Sequence, residues 1–292
     1  MSNLKQLKLR IAGVKSTQKI TKAMKMVAAS KLLKAQDQRD LSKTYAAKMN
    51  NLIANISASV VIDNNSSPLF AGNGNDKKHL LIVVSSDKGL CGAFNSQIIR
   101  KVKLIASSCI AQNKELNILF LGKKAYESLK DLYSEHVIEV IPAFSNNKFK
   151  YVQANEVVGK VLALFNDNKF DKCSIIYTEF VNALKQNIMH KSLIPMMDSL
   201  PENEDKQEFL YEYEPRQQEI LDKMVPINLA TQLYHAILES ITSEHASRMT
   251  AMDSATNNAK DMLGHLTLLY NRSRQAAITT ELIEIISSAE AL

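Results

Sequence analysis

The sequence predicts an α/β protein in which both termini form a long antiparallel two-helix coiled coil beside a Rossmann-like α/β globular foot. Three observations carry this expectation. Residues 1–60 hold a single glycine, Gly13, and no proline, with apolar residues three and four apart. Between His79 and Thr178, short apolar β-rich runs alternate with helical stretches. From Arg216 onward, only Pro226 and Gly264 interrupt a helical pattern. The domains read as 1–62, an N-terminal coiled-coil helix; 63–214, the α/β foot; and 215–292, a C-terminal helix that pairs with 1–62.

At the N-terminus, Leu4, Leu7, Ile11 and Val14 mark a coiled-coil seam. Polar Gln18 and Thr21 interrupt it. It resumes through Ile20, Met24 and Val27, and again through Leu41, Tyr45, Met49, Leu52 and Ile56. About 55 helical residues at 1.5 Å each give a rod of about 80 Å, which needs a partner helix.

A loop follows over Asp63–Asp76, with Pro68, Gly72 and Gly74. The next stretch predicts strands at His79–Ser85, Leu116–Leu121, Val137–Ile141 and Cys173–Thr178. Helices are predicted at Asn95–Gln112, Lys123–Tyr133 and Val152–Phe165. Such alternation implies a parallel sheet with helices against it. Asn187–Ile194 and Glu208–Tyr213 are further candidate strands, separated by the acidic linker Asp198–Lys206.

The C-terminal seam runs through Leu229, Leu233, Ile237, Ile241, Met249, Met252, Ala259, Leu263, Leu266, Tyr270, Ala277 and Ile285. About 70 helical residues would span about 105 Å. Pro226 is expected to kink the first turns. Two such helices at opposite ends of one chain can pair only if the middle domain returns the chain to its starting point; an antiparallel rod on a globular foot satisfies this, and the longer C-terminal helix should project past its partner.

Charge narrows the partner class. The chain of 292 residues carries 36 Lys and Arg against 30 Asp and Glu, a net charge of +6. Twelve of those bases and only two of the acids, Asp37 and Asp40, fall in residues 1–50. That asymmetry points to an anionic partner for the N-terminal segment. Lys15, Lys19, Lys22 and Lys25 share one side of the helix. No aromatic residue precedes Tyr45 to stack on bases, so nucleic acid fits poorly. A transit peptide would be richer in Arg. An acidic protein surface is the preferred partner.

The longest apolar run, Leu80–Val84, is far short of the roughly 20 residues that cross a bilayer. Cys91, Cys109 and Cys173 are widely spaced, with no zinc-type pattern, and read as reduced thiols. The six histidines are scattered, without an HxxxH or HExxH pair, so neither a metal nor a catalytic site is expected. Glu281 and Glu284 share a helix face but read as solvated.

One turn has the form of a phosphate loop without its chemistry. Ser85–Asn95, SSDKGLCGAFN, follows a strand and precedes a helix. It lacks GxGxxG and the GK[ST] of a P-loop, which leaves Lys88 misplaced for a phosphate. The bland reading is a structural turn needing Gly89 and Gly92 at positive φ. No cofactor is expected.

Three stretches together resemble the F-type ATP synthase gamma-subunit family of bacterial type. They are IAGVKSTQKITKAMKMVAASK (Ile11–Lys31), SSDKGLCGAFN, and SEHASRMTAMDSATNNAKDMLGHLTLLYNRSRQAAITTELIEI (Ser243–Ile285). The resemblance implies a non-catalytic central rotary shaft that couples c-ring rotation to conformational cycling of beta subunits. The implied partners are a ring of three alpha and three beta subunits, epsilon and the c-ring. Nucleic acid is excluded, and the membrane is reached only through partners. The implied place is the cytoplasmic face of a bacterial membrane. Contact with the alpha/beta ring falls to Lys22, Met24 and Lys25 in a lower band. Arg272, Gln275, Thr279 and Glu281 form an upper band. Small residues Ala276, Ala277, Ser287, Ser288 and Ala289 suggest a weakly adhesive tip. Ser288 replaces the family's usual glycine, and no cysteine-bearing chloroplast-type insertion is present.

Overall fold

The structure is a computed structural model of the chain and describes residues 2–58, 67–142, 149–199 and 217–290. Its contacts divide into two compact units, Met1–Ser30 with Arg248–Leu292, and Lys31–Ser247. The division falls inside the two terminal helices, α1 (Ser2–Ala58) and α6 (Gln217–Glu290), and not where the sequence changes from helical to mixed pattern.

In the unit Lys31–Ser247, five strands form one sheet in the order β3-β2-β1-β4-β5. They are β1 (Lys78–Val84), β2 (Glu115–Leu121), β3 (Val137–Ile141), β4 (Lys172–Phe180) and β5 (Gln186–Ile194). The first four are mutually parallel, while β5 runs antiparallel on the β4 edge. A parallel sheet is covered on both faces, which is why β1 reads LLIVV without alternation.

Its two faces belong to different cores. Leu81 and Val83 point to a layer with α3 (Phe94–Ala111) and α4 (Lys123–Tyr133), packing with Ile98, Val102, Phe120 and Leu129. Leu80, Ile82 and Val84 point the other way. There they meet Val157 and Val161 of α5 (Tyr151–Asn166), Ile53 of α1 and Leu233 of α6. Each such buried side chain contributes about 1.5–3 kcal/mol of apolar transfer.

The predicted strands and helices recur within one or two residues of their expected ends, as helix and strand boundaries ordinarily vary. A one-turn helix, α2 (Pro68–Ala71), interrupts the expected loop. Glu208–Tyr213 lies outside the described residues. Helix α6 continues through Pro226, whose missing N–H leaves the carbonyl one turn back without its helical donor.

Polar contacts close the amino ends of the strands. Asp76 accepts from His79 Nε2 at 2.6 Å and Lys114 Nζ at 2.7 Å. The Lys114 ammonium, with His79 and Lys172 beside it, holds that carboxyl well below the usual carboxylate range. Asp171 accepts from the Lys77 and Lys78 N–H groups and from Asn73 Nδ2. At the other end Gly122 has φ +104°, and a Cβ there would stand 1.9 Å from the Ser85 carbonyl oxygen. Only glycine fits that approach.

The seam of α1 needs correcting. In the unit formed by residues 1–30 and 248–292, the inward row is Leu4, Leu7, Ile11, Val14, Gln18, Thr21, Met24, Lys25 and Ala28. Ile20 and Val27 are 58% and 55% exposed. Gln18 and Thr21 therefore continue the seam and do not interrupt it. Within residues 31–58 the row is Leu32, Ala35, Arg39, Ser42, Ala46, Met49, Ile53 and Ile56, while Leu41, Tyr45 and Leu52 are exposed. The spacing of three and four never breaks. A residue one position away lies about 100° around the helix, so the larger apolar neighbours face outward.

Candidate functional site

In an open parallel sheet, ligands bind outside the carboxyl ends of the strands, where the strand order reverses. Here that point lies between β1 and β4. It is taken up by α6. Ser240 Oγ accepts the Thr178 N–H at 3.1 Å, Ser243 Oγ donates to the Thr178 carbonyl at 3.2 Å, and Ser247 Oγ donates to the Cys91 carbonyl at 2.8 Å. All three serines are buried.

The adjoining helix start is also satisfied from within. Asp87 Oδ1 accepts the Lys123 N–H at 3.1 Å, the Ser86 carbonyl accepts the Lys124 N–H at 2.9 Å, and Ser85 Oγ accepts the Ala125 N–H at 3.2 Å. These are the donors that a phosphate would use. The turn SSDKGLCGAFN is tied by Asn95, whose Oδ1 accepts the Ser86 N–H and whose Nδ2 donates to Cys91 Sγ. Positive φ falls at Leu90 (63°) and Gly92 (58°), not at Gly89. Leu90 is 64% exposed, so the turn carries an apolar side chain into solvent.

A second polar constellation was missed in the sequence because its members lie on three elements. Glu239 Oε2 accepts the Phe180 N–H at 2.8 Å, while its Oε1 lies 3.8 Å from Arg39 Nε and 3.7 Å from His235 Nε2. The Arg39 guanidinium stands 4.9 Å above the Phe180 ring, and His235 Nδ1 meets Ser42 Oγ at 2.9 Å. Burial pushes the Glu239 carboxyl up, against the pull of the Phe180 N–H and Arg39. Burial pushes His235 down to about 4, with Lys43, Lys191 and Arg39 adding to the effect. Nearby, Asn50 Oδ1 accepts from Asn228 Nδ2 at 3.1 Å and Gln232 Nε2 at 3.2 Å.

The expected contact residues separate by exposure. Lys22 is exposed; Met24 is half-buried; Lys25 is half-buried and donates to Asp253 Oδ1 at 2.7 Å. Lys25 thus spends its charge inside the helix pair, and Lys22 carries the outward cation of that band. Arg272, Gln275, Thr279 and Glu281 are all exposed. Of the seam residues, Leu4 and Ile11 are half-buried and Leu7 buried. Leu229, Leu233 and Ile237 are buried within the core beneath the sheet, enclosed by more than a partner helix.

The end of α6 differs from the small-residue tip expected. After Ala277 the described side chains are all exposed, and Ile285 therefore lies off the seam. The row includes Ile278, Leu282, Ile283, Ile285 and Ile286, between 45% and 65% exposed. Ser288 Oγ donates to the Glu284 carbonyl at 2.7 Å, a contact that turns its hydroxyl back on the helix.

Among the described residues no group of His, Cys, Asp and Glu could hold a metal ion, and no helix is long and apolar enough to cross a membrane.

The family model described as ATP synthase matches residues 3–292. The chain is 46% identical over 292 residues to an ATP synthase gamma chain of Pelagibacter ubique, and 43% identical over 296 residues to one of Paramagnetospirillum magneticum. Both matches cover 100% of each chain. Among solved structures, it resembles a chain of the Tetrahymena thermophila mitochondrial ATP synthase central stalk and c-ring, with a TM-score of 0.61 and 29% identity. That match covers 81% of this chain and 99% of the other. A chain of the Euglena gracilis mitochondrial enzyme shares the fold at a TM-score of 0.68 and 18% identity, covering 99% of this chain and 94% of that one.

Proposed function

The chain belongs to the ATP synthase gamma-chain family, and on that premise we propose that it is the central rotary shaft of an F-type ATP synthase. It is not itself catalytic. It couples proton-driven rotation of the membrane c-ring to conformational cycling of the catalytic beta subunits, in the direction of ATP synthesis or hydrolysis.

The observation that carries this reading is the end of α6. Five large apolar side chains, Ile278, Leu282, Ile283, Ile285 and Ile286, stand exposed on one short stretch. Apolar surface of that kind marks a site covered by other protein. A sleeve formed by the alpha and beta subunits fits it, and apolar contact suits a bearing because it has no preferred direction.

The same ring meets two bands of the shaft. Lys22, with Met24 and Lys25 beside it, faces an acidic collar; Arg272, Gln275, Thr279 and Glu281 form the upper band. One asymmetric shaft among three identical beta subunits touches each differently, which biases each toward a different conformation. Epsilon and the c-ring bind the foot, residues 63–214, and the complex sits at the cytoplasmic face of a bacterial membrane, where this chain is peripheral.

A covalent lock tests the reading. In the assembled complex, with Cys91, Cys109 and Cys173 replaced, Lys22→Cys is oxidised onto a cysteine placed on one beta subunit. Continuous ATP hydrolysis should stop and return on adding a thiol reductant. Undiminished hydrolysis by the fully cross-linked complex would overturn the shaft reading.

A further inference from the structure

On α1, the row Gln38, Leu41 and Tyr45 stands one position away from the inward row and borders a hollow of about 310 Å³. Tyr151 of α5 and Thr231 and Tyr234 of α6 form its other walls. The Tyr234 ring stacks on Phe149 at 6.3 Å between centroids and meets the Tyr151 ring edge-on at 5.9 Å, so the aromatic wall is held by its own packing. Leu41 is 77% exposed at the mouth, and Val152, next to Tyr151, is exposed as well.

The hollow does not suit a small polar ligand. Its volume lies at the low end of the roughly 300–1,000 Å³ of ligand pockets, which fix a ligand with placed polar groups. Here those groups turn inward: Ser42 Oγ meets His235 Nδ1 at 2.9 Å, and Thr231 Oγ1 donates to the Ile227 carbonyl at 2.8 Å. What faces the opening is apolar and aromatic, the composition of an anchor point in a protein interface. Three helices line it and no strand edge does, so an occupant packs by side chains and not by backbone pairing. Leu41 and Tyr45, four residues apart, form a ridge against which a second helix packs.

Charge says which helix. Residues 1–50 hold twelve bases and two acids, and both acids, Asp37 and Asp40, lie on the outer side of the Leu41–Tyr45 ridge. Arg39 Nη2 donates to Asp40 Oδ1 at 2.6 Å, whereas Asp37 is exposed and has no ion-pair partner among the described residues. Lys34 comes one turn before Asp37 and Lys48 two turns after Leu41, so the acidic stretch is short and fixes where along α1 a cation can sit. The rest of the helix seeks an anionic partner; this stretch seeks the reverse.

We propose that the hollow and its acidic border are the docking site for a helix of another subunit. That helix places an aliphatic or aromatic side chain between Tyr45, Tyr151 and Tyr234, and carries a Lys or Arg about one turn away that meets Asp37. The proposal takes from the family reading above only that the chain assembles with other subunits, and it does not depend on rotation.

The test places a photoreactive benzophenone on Gln38→Cys in the assembled complex, with Cys91, Cys109 and Cys173 replaced. ATP hydrolysis is measured alongside, so that a silent label in an active complex counts against the docking site and not against assembly. Illumination should join this chain to one other subunit, through a helical segment with apolar residues three and four apart and a Lys or Arg within a turn of the attachment point. Recovery of the label on lipid, on residues of this chain, on a segment without a base, or on nothing overturns the proposal.

Two variants of the labelled chain test the parts separately. Asp37→Lys should lower the cross-link yield by about threefold or more at low salt, and replacing the partner's base by Glu should restore it. Tyr45→Ser should lower the yield likewise while leaving the melting temperature of the isolated chain nearly unchanged, which a purely structural role would not do. An unchanged yield in either variant overturns the docking site.

Discussion

Lys25 and Asp253 form an ion pair between α1 and α6, with Nζ 2.7 Å from Oδ1. Both side chains are close to half exposed, at 41% and 47%, so the pair is screened and contributes at most about 1 kcal/mol. Its consequence lies less in stability than in which lysine of the basic stripe is left facing outward.

Lys22 and Lys25 should therefore behave differently on mutation. Lys22→Ala should leave the melting temperature of the isolated chain unchanged and weaken its association with the alpha/beta ring, most strongly at low salt. Lys25→Ala should lower the melting temperature slightly and weaken association less. Scanning calorimetry and salt-dependent reconstitution measure the two effects, and equal loss of association in both variants would contradict the assignment.

A charge placed in the buried rows should cost more where burial is deeper. Leu233 is 1% exposed and enclosed by the core under the sheet, whereas Leu7, at 8%, lies in the two-helix seam. Leu233→Asp should destabilise the chain by several kcal/mol, within the roughly 2–7 kcal/mol of an unpaired buried polar group, and Leu7→Asp by less. Urea unfolding of the full chain gives both values. The reverse order would mean that the seam, and not the sheet core, dominates stability.

Acid should weaken the protein through His235. Its folded pKa is lowered to about 4, chiefly by burial, so the fold favours the neutral ring. The stability contribution is full above the unfolded value near 6.5 and is lost as pH falls from there toward 4, by an amount of up to about 3 kcal/mol. His235→Gln, which keeps an amide to face Ser42, should flatten that loss. Unfolding free energies at pH 7.5 and pH 4.5 compare the two chains. An identical drop in both would assign the acid sensitivity elsewhere.

The isolated chain should bind no nucleotide, because the crevice between β1 and β4 is filled by Ser240, Ser243 and Ser247 and the donors at the start of α4 are taken. Titration calorimetry with ATP and with NAD should register no heat of binding. Micromolar affinity for either would show that α6 can leave the crevice.

Most elements were legible in the sequence because local periodicity records them. The continuous apolar run at Leu80–Val84, the helix from Lys123 and the absence of proline before residue 58 each leave a mark within a few residues. The phase of the α1 seam was not legible past Gln18. Hydrophobicity pointed to Ile20 and Val27, whereas the inward row uses Thr21 and Ala28, small residues that let two helices approach closely. Thr21 is inward because Thr256 faces it at 2.8 Å, and no local pattern announces a residue 235 positions away. Of the apolar surface at Ile278–Ile286, Ile285 was read as seam and the other four were not singled out, since periodicity does not say where the partner helix stops.

By itself, the sequence determined the element order, the parallel sheet, the two long terminal helices and the family, because each depends on patterns that a linear chain displays. Tertiary structure alone decided what those helices touch. It set Lys25 on Asp253, gathered Arg39, His235 and Glu239 at Phe180, and placed three serines of α6 in the crevice of the sheet. The physical reason is that a buried polar side chain is held by whichever partner satisfies it, and that partner is chosen by packing across the whole fold, not by neighbours in sequence.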